Sequence, residues 1–228
     1  MITRRAILAS NTLLPERVEN PFTFFYRIGR DHGQRRRRLP CTIHERLEEK
    51  RSRLDLTLFK AALSYARRSI PVFPCQPGGK RPLTYNGFWE ATTDPRRIKV
   101  WWRRWPSANI GITTGKKSGL LVLDVDPRGG GPESLAVLEG QSGTVPHTAR
   151  SRTGGGGVHV FFRYPPREEM RNSAGWLGPG LDVRGEGGYV VVPPSKTQRP
   201  YEWIDKSPLA EAMWLLKCLS ENGEKTLF

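Results

Sequence analysis

"GLLVLDVDPRGGG", residues 119–131, is an apolar run that closes on two carboxylates two residues apart. Its length, its content and the proline and glycines that end it read as a strand. Successive side chains of a strand point to opposite faces, so Asp124 and Asp126 share one face while Val125 turns into the other layer. Two like charges held that close repel each other, and desolvation strengthens the repulsion. Two readings stand on this pair alone. Either a divalent cation relieves the conflict, and hard oxygen ligands suit Mg²⁺ or Mn²⁺, or both carboxylates are solvated at a strand end.

A second stretch repeats the layout. In "GLDVRGEGG", residues 180–188, Leu181 and Val183 take one face of a strand and Asp182 and Arg184 the other. If the two strands are neighbours, three carboxylates converge. That is the ligand set of two-metal phosphoryl transfer, in which ions about 3.5–4 Å apart activate the attacking oxygen and stabilise the leaving one. Glu186, past the strand in a glycine turn, is expected to face solvent.

The third stretch is "RTGGGGVHVFF", residues 152–162. Four glycines let a backbone approach a ligand closely and aim N–H groups at an anion. His159 then shares a strand face with Phe161 and Arg163, opposite Val158 and Val160. A lone histidine is ordinarily a satisfied core residue. Directly after a glycine run and beside an acidic strand end, it reads as a phosphate contact. A P-loop is excluded, because no Gly-Lys-Ser/Thr follows the glycines and a strand comes next instead of a helix.

Around these stretches helices and strands alternate irregularly. "LDLTLFKAALSYARR", residues 54–68, predicts a helix from about Asp55 to Arg68, with Leu54, Leu58, Ala61, Ala62 and Tyr65 at helical spacing. "IPVFPC" is a short strand. In "TTDPRRIKVWWRRWP" Asp94 is placed to cap a helix and Pro95 to open it. Ile98, Trp101, Trp102 and Trp105 then form one face, which reads as core, although tryptophans can also stack on bases. "ANIGITTG" is a strand, "GPESLAVLEGQSG" a helix, and "HTARSRTGGGGVHVFFRYP" a strand, loop and strand. "GPGLDVRGEGGYVVVPPS" is a strand pair around a glycine-rich turn, and "PLAEAMWLLKCLS" an amphipathic helix. The class expected is α+β with a mixed or mainly antiparallel sheet.

Lys and Arg outnumber Asp and Glu by 37 to 22, a formal charge of +15. Such an excess attracts polyanions, and nucleic acid ahead of a membrane surface. No apolar stretch reaches the roughly 20 residues of a membrane helix. "MITRRAILASNTLLP" has too short an apolar core for a secretory signal. Cys41, Cys75 and Cys218 are odd in number and widely spaced, which points to a reducing compartment and a cytoplasmic protein. His32, Cys41 and His44 lack a fourth ligand at zinc spacing. Residues 1–50, with four consecutive arginines, differ from the rest. They read as a poorly ordered or loosely packed basic extension, or as an arm that grips phosphates, ahead of one domain over residues 51–228.

"LDVDP", "RTGGGGVHVFFR" and "RNSAGWLGPGLDVRGEGGYVVVPPS" resemble the bifunctional DNA primase/polymerase domain of the archaeo-eukaryotic primase superfamily. So do "PVFPCQPGGKRPL", "GFWEATTDPRRIKVWWRRWPSANIGITTG" and "AEAMWLLKCL". The likeness runs from about Asp55 to Cys218. It implies a catalytic core with an RNA-recognition-motif-like sheet packed against a second α/β layer. It also implies that Asp124, Asp126 and Asp182 hold two divalent ions, Mg²⁺ or Mn²⁺, and that His159 contacts the phosphates of the incoming nucleotide. Arg184 becomes a further triphosphate contact, and Lys80 and Arg152 stand in matching segments as nucleotide-binding candidates. The partners implied are a single-stranded DNA template, a primer, an NTP or dNTP, and a replicative helicase encoded separately. Two rivals use the same residues otherwise: a non-catalytic single-strand-binding module, and a two-metal nuclease.

Overall fold

The computed structural model describes residues 43–223. Most of the basic extension, with His32 and Cys41, lies outside the described residues.

The chain opens on α1 (Ile43–Ala66), followed by β1 (Val72–Cys75), α2 (Pro95–Arg104), β2 (Asn109–Thr113) and β3 (Leu120–Val125). Next come α3 (Gly131–Ser142), β4 (Arg150–Arg152), β5 (Val158–Arg163), β6 (Ser173–Ala174) and β7 (Leu181–Arg184). Then follow β8 (Tyr189–Val192), β9 (Glu202–Asp205), β10 (Ala210–Glu211) and α4 (Met213–Gly223). The strands make two sheets. A small one has the order β1-β2-β8, and a larger one runs β6-β7-β3-β5-β4-β9. All of these pairs are antiparallel. The three-residue β4 covers only Val158–Val160 of β5, and β10 fills the rest of that edge by pairing parallel with Phe162 and Arg163. The α+β expectation with mixed pairing is met.

The alternation read from the sequence sorts the large sheet's side chains onto two cores. Leu121, Leu123, Val125, Val160, Phe162, Leu181 and Val183 pack with Leu138 of α3 and Leu215 of α4. Leu120, Val122 and Phe161 face the other way. They share a core with the small sheet and with Leu58, Ala62 and Tyr65 of α1 and Ile98, Trp101 and Trp102 of α2. Five of the six β3 residues are buried, which explains the unbroken apolar run. Removing one such leucine from water contributes about 2 kcal/mol.

The α2 signals hold in detail. The Asp94 carboxylate accepts from the Arg96 N–H at 2.8 Å, Pro95 opens the helix, and the tryptophan face is core. Three expectations change. The first helix starts at Ile43, well before Asp55, and reaches into the segment assigned to an extension. "HERLEEKRSRL" is rich in strong helix formers, so the helix continues where no wide apolar stripe marks it. Second, β7 and β8 do not pair with each other: β7 pairs with β3 and β8 with β2, so the glycine turn between them carries the chain from one sheet to the other. Third, β6, β9 and β10 have only two to four residues each, too short for a period to register.

Candidate active site

The three stretches meet in one row across the large sheet. Asp124 lies opposite Asp182 on β7 and opposite His159 on β5, and Ser151 of β4 lies opposite His159. Directly opposed residues share a face, with Cβ atoms about 4.5–5.5 Å apart. This is the face that Leu120, Val122 and Phe161 present to the core. At the end of β3 the core gives way to a cleft between the two sheets, with a volume of about 230 Å³. Lys80, Phe88, Asp124, His159, Arg184 and Tyr189 line it.

The carboxylates are differently held. The side chain of Asp124 is 20% exposed, and the ring Nε2 of His159 stands 3.5 Å from its Oδ1. Asp182 accepts from Arg184 Nη2 at 2.7 Å and from the Gly175 N–H at 3.2 Å. Asp126 keeps an extended backbone just past β3, and its Oδ1 caps a single 3-10 turn by accepting from the Arg128 N–H at 3.0 Å. The Arg128 guanidinium hydrogen-bonds the same carboxylate. That side-chain bond, then the backbone one, holds Asp126 below the usual carboxylate range. Asp126 therefore stays ionised, but its charge is spent on Arg128.

His159 is almost wholly buried. Burial lowers its pKa; the Asp124 charge works the other way, and Lys80 and Arg184 add to the lowering. Because burial outweighs the carboxylate, the 3.5 Å approach to Asp124 is a contact of a neutral ring and not an ion pair. Its Nδ1 has no hydrogen-bond partner among the described residues, and neither has the Oγ of the fully buried Ser151.

The glycine run packs closely against its own chain at two positions. Residues 154–157 form the tight β4–β5 turn, closed by Thr153 N–H to Gly157 O at 2.8 Å and Gly156 N–H to Thr153 O at 3.0 Å. The Gly157 N–H donates to Thr153 Oγ1 at 3.0 Å. A methyl on Gly157 would overlap the Val125 carbonyl oxygen, and one on Gly154 would overlap Thr197. Close chain packing is thus what the turn requires. The glycines that border the cleft are Gly187 and Gly188, in the crossing from β7 to β8. Glu186 of that crossing is half-buried instead of facing solvent, and accepts from the Lys116 N–H at 2.8 Å.

Of the residues singled out from sequence, Asp124, His159, Arg184 and Lys80 line the cleft, and Asp182 adjoins it in the acidic row. Arg152 is not brought there. It pairs with Val158, on the face away from His159, and its guanidinium stands 3.9 Å from Glu202. Phe88, Asn172, Tyr189 and Tyr201 line the cleft without having been anticipated. None belongs to a charged or spaced motif, so only the crossing at Gly187 and Gly188, immediately before Tyr189, hinted at them.

The carboxylates of the row are hard oxygen donors, the type a divalent cation takes. Asp124 and Asp182 oppose each other with part of each carboxylate open to solvent, and Asp126 follows two residues on. Among the described residues no three His, Cys, Asp or Glu side chains are gathered as a metal cluster, and Arg128 and Arg184 pair with two of the three carboxylates.

This is an α+β protein with an acidic row that reaches, at Asp124, a cleft also lined by Lys80 and Arg184. Residues 62–214 match the family described as bifunctional DNA primase/polymerase, N-terminal. The chain belongs to that family, and its membership implies an enzyme of the nucleotidyltransferase type. No curated protein matches the chain by sequence.

Proposed function

We propose that the chain is a DNA primase/polymerase that joins an NTP or dNTP to a 3′-hydroxyl under the direction of a single-stranded template. The primase architecture, an RNA-recognition-motif-like sheet with a second α/β layer, belongs to the same proposal. The observation that carries it is Asp124 set between Asp182 and His159 in one row that opens on Lys80 and Arg184.

Asp124, Asp182 and, once released from Arg128, Asp126 would hold Mg²⁺ or Mn²⁺. Such ions, when bound, supply a lowered pKa at the attacking hydroxyl and countercharge for the triphosphate. The chain's own groups do the rest. Lys80 and Arg184 offer cationic donors to phosphate oxygens. His159, kept neutral by burial, offers one N–H without adding charge. Holding the triphosphate in line makes catalysis largely positioning and electrostatic complementarity. Gly154 and Gly157 are packed against their own chain, so this reading rests its triphosphate site on Lys80, Arg184 and His159, and a nuclease needs no such site.

Incubation with a labelled dNTP, a primed template and Mn²⁺ tests the proposal. Extension is expected. Degradation of the primer would mean a nuclease, and an unchanged primer a module that only binds.

A further inference from the structure

Beside the cleft, a chain of rings runs outward from the small sheet. Tyr189 and Phe88, both lining the cleft, lie 5.3 Å apart between centroids at an interplanar angle of 32°. Trp89 continues the stack on Phe88 at 4.6 Å and 31°. Trp89 is 71% exposed and Tyr85, four residues earlier, 98% exposed. Tyr85 and most of the Trp89 ring thus leave their faces open to a ligand.

The segment that carries them is firmly set. Trp89 sits in a 3-10 turn, Gly87–Glu90. Thr84 Oγ1 donates to Gly87 O at 2.6 Å, Asn86 N–H to Glu90 Oε1 at 2.8 Å, and Lys117 Nζ to Ala91 O at 2.8 Å. Arg97 pairs with Glu90 at its far end. The surroundings are cationic: residues 80–104 hold seven basic and two acidic side chains, with Lys80 and Arg81 exposed beside the cleft. A protein partner would favour a patch depleted of charge at its centre. Rigid exposed rings interleaved with cations match a single strand, whose bases stack while its phosphates meet Lys and Arg.

Resting on the nucleotidyltransferase reading, we propose that Tyr85 and Trp89 form a stacking platform for unpaired bases of the template strand. The stack through Phe88 places that strand next to the nucleotide cleft. The platform reads no sequence, since every base has a π-face.

The test is binding of fluorescein-labelled oligothymidylate, followed by anisotropy across a salt series. Trp89→Ala is expected to weaken binding about tenfold or more, with the slope of log K against log salt unchanged, because no phosphate contact is lost. Trp89→Phe should recover most of the affinity, and Arg81→Ala should flatten the slope instead. Trp89 is exposed, so unchanged melting temperatures are expected and check that the variants fold. Wild-type affinity in Trp89→Ala overturns the platform, as does a dimer in sedimentation that this substitution dissolves. If wild type extends primers while Trp89→Ala binds as tightly, the platform falls and the catalytic reading stands. If Trp89 governs binding but no primer is ever extended, the catalytic reading falls and the platform stands.

Discussion

Asp182 stands directly across the β3–β7 ladder from Asp124, on the face where β3 runs out of core. Like charges in opposed positions destabilise a sheet by up to about 1 kcal/mol. The fold keeps this conflict beside a cleft that Lys80 and Arg184 also line.

Neutralising the conflict should uncouple stability from function. Asp124→Asn is expected to abolish nucleotide incorporation while leaving the metal-free melting temperature unchanged or about 1–3 °C higher. Millimolar Mn²⁺ should raise the wild-type melting temperature, because a ligand that binds only the native state stabilises it, and the rise should be lost in Asp124→Asn. Scanning fluorimetry with and without Mn²⁺ reads both effects. An equal rise in the variant would remove Asp124 from the ion site.

The cysteines should be silent in the native state. Cys75 and Cys218 are fully buried; burial pushes the Cys75 thiol up to about 12 and raises that of Cys218. Thiol reactivity follows thiolate population and access. In a Cys41→Ser protein, a disulfide reagent at pH 8 should label neither remaining thiol until denaturant is added. Rapid native labelling of Cys75 would mean that the small sheet opens locally.

The fold and the acidic row were legible in the sequence to different depths. Period-2 alternation placed Asp124, Asp182, Arg184 and His159 on their faces, because a strand's geometry assigns a face to every second residue. The neighbour relation between β3 and β7 could only be posed as a condition, since pairing is set by contacts far apart in the chain. The glycine run is ambiguous in sequence because the same permissiveness serves close approach to a ligand or to backbone. Only the position of the Val125 carbonyl decides between them. Phe88 and Tyr189 escaped because an apolar cleft wall carries no motif.

Two glycines test that distinction directly. Gly157→Ala forces a methyl onto the Val125 carbonyl beside the acidic row, and should destabilise by about 2–3 kcal/mol. Gly140→Ala, in exposed helix α3 with open space at the new methyl, should stabilise by about 0.5–1 kcal/mol. Urea denaturation of the two variants measures both signs. A Gly157→Ala protein as stable as wild type would mean that the hairpin turn yields at little cost and that its glycines serve something else.

His159 gives the protein a pH dependence of known sign. Burial places its folded-state pKa below the unfolded value of about 6.5, against the pull of Asp124. As pH falls through that value the unfolded chain takes up the proton first, so this group's contribution is intact above about pH 6.5 and is lost progressively below it. The loss for one site is at most about 1.4 kcal/mol per pH unit. Urea midpoints measured in a metal chelator at pH 7.5 and 5.5 should drop for wild type and drop less for His159→Gln, which has no ring to protonate. The chelator matters because a divalent ion at Asp124 would shift the same equilibrium. A variant whose midpoint falls as far as that of wild type would show that folding does not shift the imidazole's titration. One whose midpoint falls further than wild type would show that the native state holds the proton more tightly, which would end its role as a neutral donor.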